Sequence, residues 1–172
     1  LEATQVATSS TDPASFGDLY QWGRGTDGHQ IRTSATTATL SSTDQPAEGK
    51  FITINSGNYD WRSPQNDNLW QGVNGINNPC PSGFRIPTQD DFYYEYTNWN
   101  TPNSSGAFNS SLKIPLAGNR SQSTGTIFLN DGKYWTSTIS GVSSVFFNIL
   151  SSSYGWTSTG RAESCSVRCI KN

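Results

Sequence analysis

Residues 77–88, NNPCPSGFRIPT, decide how this chain is read. Pro79 and Pro81 lack an amide hydrogen, Gly83 accepts backbone angles that other residues avoid, and Pro87 holds the residue before it extended. The stretch is therefore a rigid turn that leads into a new element. Thr88 and Asp91 form a capping-box pattern, a hydroxyl for an exposed amide and an acid three residues on, with Asp where Glu is more usual. Asp90 and Asp91 also suit the positive end of a helix. Phe92, Tyr96 and Trp99 recur at helical spacing, and Asn98, Asn100, Thr101 and Pro102 stop the pattern, so a helix is predicted over 89–98.

Outward from this joint, the chain reads as short strands and long loops. FGDLYQWGRG, from Phe16, is an aromatic strand that runs into a glycine-punctuated turn, with Phe16, Tyr20 and Trp22 as core residues. Residues 33–50 read as a surface excursion, FITI at 51–54 re-enters the fold, and 55–78 read as an ordered long loop. Beyond the helix, SLKIPLAG at 111–118 looks like a strand with a proline near an edge or bulge, and YWTSTI and SVFFNIL look like a strand pair. Asn130, Asp131 and Gly132 precede that pair, where Asp-Gly suits the positive φ of a tight turn. CSVRCIK at 165–171 closes the sheet. The expected class is α+β, loop-rich, with short antiparallel strands and one clear helix, in a single domain over 1–172.

Composition narrows the function. Only 33% of residues are apolar and 14% charged, so Ser, Thr, Asn, Gln and Gly carry the polarity, and these residues fill loops better than helices. Aromatics at 12%, with six Trp, are too many for a disordered chain. A net charge of -2 with scattered Lys and Arg supplies no basic stripe, which argues against nucleic acid. No apolar run approaches the roughly 20 residues that span a bilayer, so membrane insertion is not expected. The absence of Met, a first one included, fits a module excised from a larger protein.

Cys165 and Cys169 would lie about 13 Å apart in an extended segment, beyond the reach of about 7 Å that a disulfide allows. Each has Cys80 as its one partner, so one thiol stays free. The expected pair is Cys80 with Cys169, and the alternative is three reduced thiols in a reducing compartment.

Several segments resemble one family: WGRGTDGHQIR from Trp22, DWRSPQNDNLWQGVNGINNPCPSGFRIPT from Asp60, GAFNSSLKIPLAGNR from Gly106, YWTST from Tyr134 and SVRCIK from Ser166. In order and spacing the chain resembles the Fibrobacter succinogenes major paralogous domain. That resemblance implies a secreted or surface-attached bacterial module with a fold similar to C-type lectins and to formylglycine-generating enzymes. The composition is also similar to ligand-binding regions of RTX-type adhesins, which implies calcium and a peptide, protein or glycan partner on another cell surface. Cys165 departs from the family pattern, and an extra thiol there favours artificial dimers; otherwise the isolated module is expected to be a monomer.

No catalytic motif accompanies the single histidine, His29, which reads as a hydrogen-bonding turn residue, so the chain is not expected to be an enzyme. Oxygen ligands make calcium the expected metal: Asn66, Asp67 and Asn68 are the densest cluster, and Asp60, Asn130 and Asp131 are further candidates, although no DxDxDG spacing fixes a cage. Ligand contact is expected on the late loops, 118–131 and 151–161, through Arg120, Tyr154, Trp156 and Arg161. Trp22, Trp61, Trp70, Trp99 and Trp135 are expected in the core. The leading expectation is an extracellular, calcium-dependent adhesin-type domain that binds a peptide or protein; the alternatives are a carbohydrate-binding lectin module and a structural spacer.

Overall fold

The computed structural model describes residues 1–172 as a small α+β domain with many short strands. Its longest regular unit is an antiparallel sheet of β7 (Gly132–Ser140), β8 (Ser143–Ile149) and β9 (Tyr154–Thr159), in the order β7-β8-β9. Side chains alternate across a strand, so neighbours in sequence enter different cores. Trp135 and Phe146, a cross-strand pair, face a core that holds Tyr20, Trp22, Trp61, Trp70, Ile86 and Cys165. Tyr134 and Phe147, the next pair, face a second core with Phe92, Ala107, Ile114, Leu116 and Ile149. The sheet is thus covered on both faces.

Two-residue strands complete the fold. β1 (Tyr20–Gln21), β5 (Asn119–Arg120), β6 (Ile127–Phe128) and β10 (Ser164–Cys165) form one antiparallel sheet in the order β1-β10-β5-β6. β2 (Thr36–Thr37) and β3 (Phe51–Ile52) are a parallel pair, an exception to the expected antiparallel pattern. β4 (Phe84–Arg85) pairs with β11 (Ile170–Lys171), so the CSVRCIK segment is divided between two sheets. The Cys80–Cys169 disulfide, with Cα atoms 5.7 Å apart, ties that last strand to the proline turn.

The predicted helix is α1 (Gln89–Tyr96), two residues shorter than expected. Thr88 and Asp91 close a full capping box, and Arg85 forks onto the Asp91 carboxylate at 2.6 and 3.2 Å. After Tyr96 the amides of Asn98 and Trp99 reach back only three residues, to Glu95 and Tyr96. The chain tightens there, yet Trp99 stays on the apolar side. A second helix, α2 (Ser104–Asn109), was not expected; Asn103 caps it through its side-chain oxygen. Its centre needs Gly106, because a Cβ there would collide with the Thr101 carbonyl.

Two further expectations are corrected. SLKIPLAG is irregular rather than a strand: Lys113 has φ +49° and Pro115 has no amide to give a ladder, while Ile114 and Leu116 still reach the core. Gly132 has no positive φ; it opens β7, and it is glycine because a Cβ would lie 2.9 Å from the Pro115 carbonyl oxygen. Cys165 is fully buried in the centre of the four-stranded sheet, so the folded domain cannot use it for the dimers expected from a spare thiol. The Cys80–Cys169 link closes a segment of 89 residues. Reduction, or the pair Cys80→Ser and Cys169→Ser, is expected to lower stability by about 2–5 kcal/mol in urea unfolding. Cys165 should resist alkylating reagents until the domain unfolds, as mass measurement of the native and denatured protein would show.

Candidate functional site

The face where α1 crosses the second core ends in half-buried rings. Tyr96 stacks on Phe147 with ring centres 5.3 Å apart and lies 4.6 Å from Tyr154; Trp99 meets Tyr154 edge-on at 5.7 Å. Trp156 rests on Phe147 at 4.8 Å, and Tyr93 lies 5.3 Å from Tyr96 with half its surface exposed. The rings form a continuous aromatic platform, with Tyr154 and Trp156 on β9 at its border.

Hydrogen bonds separate Trp156 from the other indoles. Trp22 donates to the Thr136 carbonyl, Trp61 to that of Trp22, Trp70 to that of Asn77, Trp135 to that of Tyr20, and Trp99 to the Glu95 carboxylate. Trp22, Trp61, Trp70 and Trp135 are core residues as expected, and Trp99 packs at the rim of the second core. Trp156 has no acceptor in the protein, and the hydroxyls of Tyr93, Tyr96 and Tyr154 have no partner either. Residues 151–161, read from sequence as a loop, contain strand β9: Tyr, Trp and Thr favour a pleated surface, and Gly155 and the serines obscure the pattern. β9 pairs only with β8, and no backbone or side-chain bond outside that ladder reaches its residues.

The remaining expected contact residues lie inward. Arg161 is 1% exposed, its guanidinium stacked 4.6 Å over Trp22 and 2.6 Å from an Asp67 oxygen. It also reaches the Asn66 carbonyl at 3.3 Å and lies 3.8 Å from Asp60. The structure therefore brings Asp60, Asn66, Asp67 and Arg161 together, while Asn68 stands outside, its amide donating to the Asn66 side chain. Arg120 is buried over Phe51 and donates to Ser34 and to the Gly125 carbonyl. Neither guanidinium is presented to a partner.

Asn130 and Asp131 are not part of this group and lie with Lys133 and Glu163. Asp131 is 3.7 Å from Lys133 Nζ, which is also 3.9 Å from Glu163. Burial raises the carboxyl pKa of Asp131, Glu163 and Asp60 against the pull of these cations. At both expected calcium segments a cation of the chain itself answers the carboxylates, and no group of three or more His, Cys, Asp or Glu side chains converges.

His29 is completely buried and held at both nitrogens. Nδ1 donates to Asp27 at 2.6 Å and Nε2 accepts the Gln21 amide at 3.1 Å, while Arg24 grips the other Asp27 oxygen at 2.5 Å. Nε2 can take a proton only by losing the Gln21 amide. Comparison with family models, curated proteins and solved structures found no match.

Burial pushes His29 down to about 4, against the opposing pull of the Asp27 hydrogen bond. The unfolded chain binds this proton near the ordinary value of about 6.5, so stability is present above that pH and falls as pH drops from about 6.5 towards 4. Urea unfolding across this range should show a loss on the order of 2–3 kcal/mol from this group. In His29→Gln, which keeps a donor and an acceptor but cannot titrate, that part of the slope should vanish. An unchanged slope would remove His29 as its source.

Proposed function

We propose that this domain is a secreted binding module that takes an extended segment of a partner protein alongside β9. The observation that carries this reading is the open edge of the sheet. Native proteins guard such edges with lysine, proline or a bulge, because unpaired N–H and C=O groups recruit other strands. β9 has none of these guards: its register with β8 is continuous over six pairs. No charged side chain occurs anywhere between Lys133 and Arg161. An added strand gains ladder hydrogen bonds, and its alternate side chains land on Tyr154 and Trp156.

The disulfide supports an oxidising, extracellular setting, and two cores around a central sheet with loops above suit the lectin-like scaffold that the sequence motifs imply. In this reading the module belongs to a bacterial surface protein of adhesin type, and calcium has no part in the contact. No helix is long and apolar enough to cross a membrane. A carbohydrate partner is the second reading. It is favoured by the free indole N–H of Trp156 and the free phenolic hydroxyls, since an uncharged aromatic platform with hydrogen-bonding edges also suits a sugar ring.

A peptide array followed by amide-shift mapping of the best binder tests the reading. Shifts should concentrate on residues 154–159 and persist in excess chelator. Thr157→Lys adds an edge guard at an exposed position and should weaken the peptide at least about tenfold with an unchanged melting temperature. Trp156→Ala should weaken it to a similar degree. Binding that maps elsewhere, or that survives both substitutions, would overturn the assignment, and displacement by simple sugars would favour the second reading.

A further inference from the structure

Asn119, Lys133 and Glu163 come from three separate segments and meet at one carboxylate. Gly118 and Gly132 form a parallel bridge, and the Gly118 amide donates to the Asp131 carbonyl at 2.8 Å. Asn119 of β5 and Lys133 of β7 stand one step on from that bridge in both segments. Glu163 arrives beside them immediately before β10, which pairs with β5. The Asn119 carboxamide nitrogen donates to Glu163 Oε1, and Lys133 Nζ lies 3.9 Å from that same oxygen. Glu163 Oε2 accepts the Gln122 amide at 2.9 Å, which fixes the orientation of the carboxylate.

Water is largely excluded from this meeting point. Asn119 is 4% exposed and Glu163 8%, and the Lys133 ammonium lies 5.4 Å from the centre of the buried Phe146 ring. A carboxylate and an ammonium taken out of water lose hydration that a neutral acid and amine do not need, so burial favours passage of a proton from one to the other. Around Nζ stand two acids that can take it, Glu163 and, at 3.7 Å, Asp131. An uncharged lysine amine is a nucleophile, and a carboxamide held beside it is an electrophile. Glu163 Oε1 touches the nitrogen that must lose protons and the nitrogen that must gain them, which is the position of a general acid and base for amide exchange.

We propose that Lys133 and Asn119 join in an intramolecular amide, with Glu163 as the proton carrier. The Nζ–Cγ bond forms, the Cγ–Nδ2 bond breaks, and two protons pass in turn from Nζ through Glu163 Oε1 to Nδ2, which leaves as ammonium. Glu163 is unchanged at the end, and no oxidant or second substrate enters. A fifth of the Lys133 side chain is in contact with solvent, which gives the ammonium its way out. The link ties β5 of the four-stranded sheet to β7 of the three-stranded sheet, where the Gly118–Gly132 bridge joins the two without a ladder.

The intact mass of the unmodified chain decides, whether or not any variant folds. It should equal that of the sequence less two hydrogens for the Cys80–Cys169 disulfide and less one ammonia, and the ammonia deficit should persist after reduction. Trypsin cuts after Arg120 but not after an acylated lysine, so residues 114–120 and 121–161 should leave as one branched peptide. Lys133→Arg and Glu163→Gln should each restore the full mass, release separate peptides and melt at a lower temperature, with Cys165 still resistant to alkylation as the sign that they fold. Glu163→Gln keeps an acceptor for Asn119 but cannot carry the proton. Full mass in the unmodified chain overturns the proposal, as does an ammonia deficit without the branched peptide, which a cyclised asparagine gives. A water deficit, from an amide to Asp131, or linkage that proceeds unslowed in Glu163→Gln overturns the assignment of Asn119 or of Glu163.

Discussion

An irregular backbone can be buried only if its carbonyls and amides find partners, and that requirement governs this molecule. Backbone groups make 69 hydrogen bonds with one another across 172 residues, well below the roughly two-thirds of a bond per residue usual for folded proteins. Side chains supply part of the difference. Trp22, Trp61, Trp70 and Trp135 each send an indole N–H to a carbonyl of a segment distant in sequence, Trp70 reaching Arg24 as well as nearby Asn77, and Gln21 donates to both Ile52 and Ala162 while its own oxygen accepts the Ile52 amide. A phenylalanine in place of any of these tryptophans would keep a ring in the core but leave a buried carbonyl unanswered, at a cost of about 1–3 kcal/mol for that group. The tryptophans are therefore the fasteners of the loops as well as the bulk of the core.

The same requirement explains the buried arginines. Arg161 stacks on Trp22 and reaches Asp67 and the Asn66 carbonyl, which ties the long loop before the proline turn to the end of β9. Arg120 and Arg32 each donate to backbone carbonyls, of Ser34 and Gly125 and of Gly17 and Ala117. A planar cation with five donors can satisfy several carbonyls that point at one place, which a lysine cannot. Arginine on a late loop suggested ligand contact in the sequence; here the guanidiniums hold loops that have no ladder of their own.

What was legible in the sequence is what depends on local physics. The capping box at Thr88 and Asp91, the alternation in YWTSTI and SVFFNIL, and the impossibility of a Cys165–Cys169 bond all follow from neighbours a few residues apart. The β4–β11 pairing, the convergence of Asp60 and Asp67 on Arg161, and the parallel β2–β3 pair depend on contacts across long separations, which periodicity does not encode. β9 was hidden for a different reason: Gly155 and the serines around it look like loop, and strand character there comes from β8 alongside. The expected calcium residues illustrate the same limit, since an Asn and Asp-rich run looks alike whether a metal or a guanidinium sits within it.

These constraints also mark where function can reside. Residues that hold the loops together cannot be released to a partner without losing the fold, which removes four of the tryptophans, Arg120, Arg161 and His29 from consideration. The aromatic border on β9 is bound by no such duty. Trp156 packs one face of its ring on Phe147 and keeps its N–H free, and the edge beside it has backbone groups with nothing to bond. An exposed strand of this kind, without a charged residue to keep other chains away, is a hazard for solubility that a domain with only 14% charged residues has little means to offset. Retaining it unguarded is consistent with an edge that is occupied when the protein is at work.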